Sequence, residues 1–132
     1  AAEAMIARVD FESLREAGSE LGGGGMIVID DSASMVRVFA EIARFFAHES
    51  CGQCTPCREG IGWVLAIARR IEAGQGAVRD IAQLQELLAA MRGRAMCGLS
   101  EAMVATCWSI LIKFRREFEE QVRNGGDAEG VR

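Results

Sequence analysis

Three cysteines spaced three apart, Cys51, Cys54 and Cys57, lie in the run Glu49-Ser50-Cys51-Gly52-Gln53-Cys54-Thr55-Pro56-Cys57-Arg58-Glu59-Gly60, and Cys97 stands alone forty residues further on. Three soft thiolates packed this tightly, with a distant fourth, match the needs of an iron–sulfur cluster: each iron takes one cysteine, and a compact loop can wrap three corners of a cubane. The spacing points to electron handling.

The rest of the composition is consistent with such a site in an ordinary globular chain. At 132 residues and 50% hydrophobic content, there is enough chain for one domain with a real core. Five cysteines are an odd count, three of them within seven residues, which makes a poor disulfide framework; with no signal peptide, reduced thiols and a cytoplasmic setting are expected. Nineteen acids against fifteen bases give a net charge of −4, and no basic cluster with interleaved aromatics is present, so no nucleic-acid partner is expected. The longest apolar runs fall short of the ~20 residues that a membrane helix requires, and direct membrane insertion is not expected either.

Along the chain, Asp10 to Gly18 reads as a short helix capped by Asp10. The glycine run Gly22 to Gly25 leads into Met26-Ile27-Val28-Ile29, a short apolar segment of strand type. A lone strand leaves its backbone donors and acceptors unpaired, and no second convincing strand appears. Together with a start at Ala1-Ala2-Glu3, this leads us to expect the C-terminal piece of a longer polypeptide, whose upstream part supplies the sheet. From residue 34 the reading is helical. Ser34 caps a helix with an apolar stripe at Met35, Val38, Phe39, Ile42 and Phe46 that ends near His48. Thr55 and Pro56 serve as N-cap and first residue of a second helix, with Ile61, Val64, Leu65, Ala68 and Ile71 inward. A third, over about 78–92, turns Ile81, Leu84, Leu87, Leu88 and Met91 to one face. After a turn at 93–98, a fourth helix over about 100–123 buries Val104, Cys107, Trp108, Leu111 and Phe114. The expected fold is mainly α: a four-helix bundle carrying an iron–sulfur cluster loop, with a short helix/strand remnant of an α+β domain before it. Residues 1–33 are then the end of the preceding domain and a linker, 34–123 the helical [4Fe–4S] domain, and 124–132 a disordered tail.

Zinc competes for the same residues. Structural zinc sites also use four cysteines, usually as two knuckles of two, whereas three ligands from one loop suit a wider cluster better. The ferredoxin run shares the first three cysteines, but its fourth follows after three residues and serves a second cluster that this chain cannot build. For the fourth ligand the candidates are Cys97, Cys107 and His48. Cys107 falls at helical spacing on an apolar face, where a free cysteine behaves as a small hydrophobe, while Cys97 sits in a glycine-flanked turn and is the better ligand. His48 reads as a helix-end side chain before it reads as a tuning residue or a ligand. Cys57 in a first helical turn places free N–H groups and the positive end of a helix dipole beside the thiolates, and Arg58 stands next to it. The glycine run precedes its strand and no Gly-Lys-Ser/Thr is present, so neither nucleotide-binding fingerprint is met. Asp30-Asp31 reads as solvated or capping rather than as a cation site, and no nucleophile–base pairing of a hydrolase is visible.

The twelve-residue run from Glu49 to Gly60 closely resembles the signature of the flavin-carrying, NADH-oxidising subunit of respiratory complex I, shared with the diaphorase subunits of NAD-linked hydrogenases and formate dehydrogenases. The run Val9 to Leu14, the glycine-rich turn before Met26 to Asp30 and the lone Cys97 are similar to that family too, so the likeness extends to about residue 121. After Cys97 the family often continues Ala-Leu-Gly and soon a proline, whereas this chain reads Gly98-Leu99-Ser100 with no later proline, and all three parent complexes stay open. The resemblance implies that Cys51, Cys54, Cys57 and Cys97 hold one [4Fe–4S] cluster fed from FMN, itself reduced by NADH. It implies that the FMN and NAD(H) sites belong to an upstream domain of the same polypeptide, with Gly98 and Leu99 the residues here that could approach the flavin. Other iron–sulfur subunits of a redox complex are the implied partners, and peripheral attachment at the inner membrane the implied location. A zinc-stapled helical interaction module is the alternative from another class.

Overall fold

The computed structural model describes residues 8–127. They fall into two units, divided between Asp30 and Asp31.

In the first unit, α1 (Phe11–Glu16) is short and starts at Asp10, whose carboxylate accepts the Ser13 N–H at 2.8 Å and the Ser13 hydroxyl at 3.0 Å. These two hydrogen bonds hold the Asp10 carboxyl below its ordinary value. The expected strand at Met26–Ile29 is not formed, and no strand occurs among the described residues. Ile27 and Val28 are 86% and 89% exposed. The cause is the one that makes any lone strand unstable: no neighbouring edge takes its backbone hydrogen bonds.

The second unit is a bundle built from α2 (Met35–Glu49), α3 (Ile61–Glu72), α4 (Val78–Met91), α5 (Gly98–Lys113) and α6 (Arg115–Asp127). α2 packs along α3 and α5, and α4 packs on α5 and α3. α2 presents a rotated face: Val36, Phe39, Ala40 and Ala43 are buried, while Met35, Val38, Ile42 and Phe46 line the edge of the core. Small residues let helix backbones approach, so the alanines rather than the longer side chains take the centre. Ser34 contributes no side-chain cap; the Met35 N–H is instead taken by Glu117 Oε1 of α6 at 2.7 Å.

The second of the four expected helices starts where its proline places it but is differently built. Thr55 is already helical, and Pro56–Gly60 form a π-helical turn that runs into α3. Gly60 leaves room for α4 at that turn: a Cβ there would fall 2.7 Å from Met91 Sδ, so the Met91 side chain lies directly on the glycine backbone. On α3, Ile67 is buried in place of Leu65.

The single fourth helix expected over 100–123 is two helices. The chain breaks at Phe114 (φ −114°, ψ 20°), which is 40% exposed rather than buried. Beyond the break Phe118 and Val122 turn inward, and Phe118 meets Phe39 edge-to-face with ring centroids 5.5 Å apart. Arg115 secures the bend by bonding Glu119 at 2.8 Å and Gln85 of α4 at 3.3 Å. Where a disordered tail is expected from residue 124, residues 124–127 are helical, as α6 runs to Asp127. A Cβ at Gly125 would collide with the Gly74 backbone, so a glycine at this position lets the helix end dock. Residues 1–7 and 128–132, parts of the expected linker domain and tail, lie outside the described residues.

The α3–α4 connection is pinned by Asp80, a residue to which sequence pattern alone gives no role. Its side chain is 2% exposed; it receives Arg70 through two bonds, 2.6 and 3.0 Å, and accepts the Ala77 N–H at 2.8 Å as a one-sided cap of α4. The Arg70 guanidinium, ahead of the Ala77 amide, holds the Asp80 carboxyl below its ordinary value. An unfolded carboxyl at roughly 3.9 therefore binds protons before the native one does, and the pair's contribution is complete above that pH and is lost as pH falls through the lower native value. Arg70 is half in solvent, which screens the pair. Asp80→Asn should cost about 1 kcal/mol at pH 7. In denaturant titrations the gap between variant and native chain should narrow steadily below pH 4; a gap that stays constant down to pH 2 would contradict this account.

Candidate metal centre

The cysteine loop leaves α2 at Ser50 and re-enters helix at the π-turn. Gly52 takes a left-handed conformation (φ +77°), and its carbonyl accepts Arg58 Nη1 at 2.9 Å, so the arginine reaches back and holds the loop closed. The Cys54 carbonyl accepts the Arg58 N–H at 2.8 Å, which starts the helical run. The thiols are graded in exposure: Cys57 is buried at 6%, Cys54 is half-buried and Cys51 is exposed.

Cys97 comes to the same end of the bundle from the other side. The Met96 N–H donates to Cys54 Sγ at 3.4 Å, bridging 42 residues of sequence, and the exposed Cys97 is the N-cap of α5. The turn that carries it is held by Glu101, whose carboxylate accepts the Gly93 N–H. Two helical N-termini, the π-turn leading into α3 and the start of α5, are thus brought to the cysteines, and both favour negative charge. The first is the one that Thr55-Pro56 announces; the second begins at Gly98, two residues ahead of the expected start at 100.

All five cysteines are free thiols. Among the described residues, no three Cys, His or carboxylate side chains already stand around a single ion position. Cys107 is fully buried with Val104 and Leu111, and burial pushes its thiol up to about 12. It is a core residue. His48 is exposed in the last turn of α2 with Nδ1 3.0 Å from Glu49 Oε1. Two serines that lie near these cysteines in sequence take their surroundings from the fold. Ser50 Oγ lies 3.2 Å from Cys57 Sγ, and the Ser100 hydroxyl, in the first turn of α5, is buried with no hydrogen-bond partner.

Residues 37–121 match the family described as the NADH-ubiquinone oxidoreductase-F iron-sulfur binding region. The chain belongs to this family. Among its relatives, an NADH-quinone oxidoreductase subunit of Rhizobium meliloti (strain 1021) is 47% identical over 110 residues, 83% of this chain and 26% of the relative. The mitochondrial NADH-ubiquinone oxidoreductase 51 kDa subunit of Neurospora crassa is 42% identical over 125 residues, 91% of this chain and 25% of the relative. A crystal structure of NAD+-reducing [NiFe]-hydrogenase in the H2-reduced state superposes with a TM-score of 0.65 at 38% identity, covering 72% of this chain and 16% of that one. The chain spans about a quarter of the length of the curated relatives it matches.

The donor set suits the iron–sulfur group that defines the family. Four free thiols in two facing loops offer soft donors, and the helix ends offer positive potential. The burial contrast gives a direct test of thiol accessibility. In the metal-free chain at pH 8, iodoacetamide should alkylate Cys51 and Cys97 readily and leave Cys107 untouched until denaturant is added, as read by peptide mass spectrometry. Native-state labelling of Cys107 at the rate of Cys97 would refute the assignment of Cys107 to the core.

Proposed function

We propose that Cys51, Cys54, Cys57 and Cys97 hold one [4Fe–4S] cluster, through which the chain passes electrons in an NADH dehydrogenase of the NADH:quinone oxidoreductase type. The observation that carries this reading is the Met96 N–H on Cys54 Sγ, which brings the turn bearing the fourth cysteine against the loop bearing the other three. When bound, such a cluster supplies one-electron storage and relay. The chain's own residues do the rest. Arg58 holds the ligand loop closed through the Gly52 carbonyl, the two helix N-termini favour the negative charge of thiolates and sulfides, and the bundle beneath Cys57 keeps water from one side of the site.

In this reading the electrons come from FMN and NADH in an upstream domain of the same polypeptide and leave to other iron–sulfur subunits, in a complex attached peripherally at the membrane. Among the described residues no helix is long and apolar enough to cross one. Residues up to 33 are the end of that upstream domain, and the exposed Met26–Ile29 segment is the strand that its sheet would accept. A second reading, the diaphorase component of an NAD-linked hydrogenase, is favoured by the superposition on the hydrogenase structure. A formate dehydrogenase diaphorase is the third member of the set.

Anaerobically purified chain should contain about four irons and four sulfides and give a paramagnetic signal on reduction. One zinc and no sulfide would establish the zinc-stapled module instead. Cys97→Ser should lose or severely damage the cluster, whereas Cys107→Ala should keep it and lose about 1 kcal/mol of core packing. The reverse pattern would overturn the ligand assignment. Incubated with NADH and FMN, the chain alone should show no diaphorase activity, because hydride transfer needs a pocket that orients nicotinamide against flavin. Saturable NADH oxidation by the isolated chain would refute that division of labour.

A further inference from the structure

Ser50 sits at the C-cap of α2, where helix gives way to the cysteine loop. Its Oγ lies 3.2 Å from Cys57 Sγ and accepts the Gly52 N–H at 3.3 Å. The amide occupies a lone pair on the oxygen, so the hydroxyl proton is left free for the sulfur. In a free thiol either atom could donate. A thiolate bound to iron has no proton, and then only Ser50 can donate.

We infer that Ser50 is a potential-setting residue: its hydroxyl donates to the Cys57 thiolate and favours the reduced state of the cluster that Cys57 helps to hold. The inference rests on the ligand reading above. Reduction adds one electron to the cluster from an external donor, forms and breaks no covalent bond, and moves no proton. Part of the added charge spreads onto the ligand sulfurs, so a hydrogen bond to one of them is stronger after reduction than before. Cys57 is the buried thiol of the set, which limits replacement of the hydroxyl by bulk water. The Met96 amide acts on Cys54 in the same sense, but it is a backbone group. Of these two donors, Ser50 is the one that a side-chain substitution removes. The geometry of the loop also fixes the hydroxyl: Arg58 holds the Gly52 carbonyl while the Gly52 amide holds Ser50 Oγ, so both sides of one glycine orient the donor.

The test compares the anaerobically purified native chain with Ser50→Ala and Ser50→Thr, each assayed for iron and sulfide and then poised at a series of potentials with dithionite and mediators under EPR. Ser50→Ala should keep its iron, and at a fixed potential its ratio of reduced to oxidised cluster should fall about tenfold, which is 59 mV for a one-electron couple. Ser50→Thr, which keeps a hydroxyl, should return most of the shift. Beside the coupling of the Met96 amide, a second exchangeable proton, not bound to nitrogen, should appear by ENDOR of the reduced, 15N-labelled native chain and Ser50→Thr and be lost in Ser50→Ala. A loaded Ser50→Ala with the native ratio overturns the inference while leaving the ligand reading intact. If Ser50→Ala fails to load, native chain and Ser50→Thr decide on the exchangeable coupling that 15N labelling shows is not the Met96 amide: none in either overturns the inference, and one in both upholds it. Zinc without sulfide in the native chain is the failure of the ligand reading itself.

Discussion

The contact on which the site depends is a single amide over a single sulfur, Met96 N–H on Cys54 Sγ. For it to form, the loop after α2 and the turn before α5 must arrive at one end of the bundle, although half the helical core separates them in sequence. The α3–α4 hairpin makes this possible by carrying the chain away from that end and back again. Asp80, buried at the far turn between Arg70 and the Ala77 amide, fixes how the two helices of the hairpin run. A buried carboxylate so thoroughly bonded specifies a geometry as much as it stabilises one.

Sequence reasoning performs well here where a residue's own chemistry decides its role. Pro56 opens a helix because its ring leaves no other use for its nitrogen, and the apolar spacing of α3 and α4 settles most of their buried faces. The cysteines are legible as a group: three thiols in seven residues mark one loop, and the turn that carries Cys97 comes against it. Cys107 is separable from them by helical spacing alone, and its burial agrees.

What escapes such reasoning is set by partners distant in sequence. The break at Phe114 has no proline or glycine to announce it; it exists because Phe118 docks on Phe39 and Arg115 bridges to Gln85. The inner face of α2 is centred on Ala40 and Ala43, residues whose hydrophobicity is slight but whose size admits a neighbouring helix. The cap of α2 comes from Glu117, 82 residues away, in place of adjacent Ser34. At the site, a backbone amide such as that of Met96 carries no side-chain signature at all. Ser50 and Arg58 are visible as residues of the motif, but their bonds to Cys57 and Gly52 follow from the fold of the loop.

The bare α-carbon of Gly60 has a mechanical meaning for this site. With no side chain between them, the turn that carries Cys57 is seated directly on the buried Met91 of α4, and close-packed interiors yield little under load. In the proposed ligand set, charge arriving at Cys57 would leave the close-packed atoms around it little room to shift. For the cluster proposed above, so close a seat beneath Cys57 would keep nuclear reorganisation small, so one glycine contact would bear on the speed of transfer as well as on the stability of the fold.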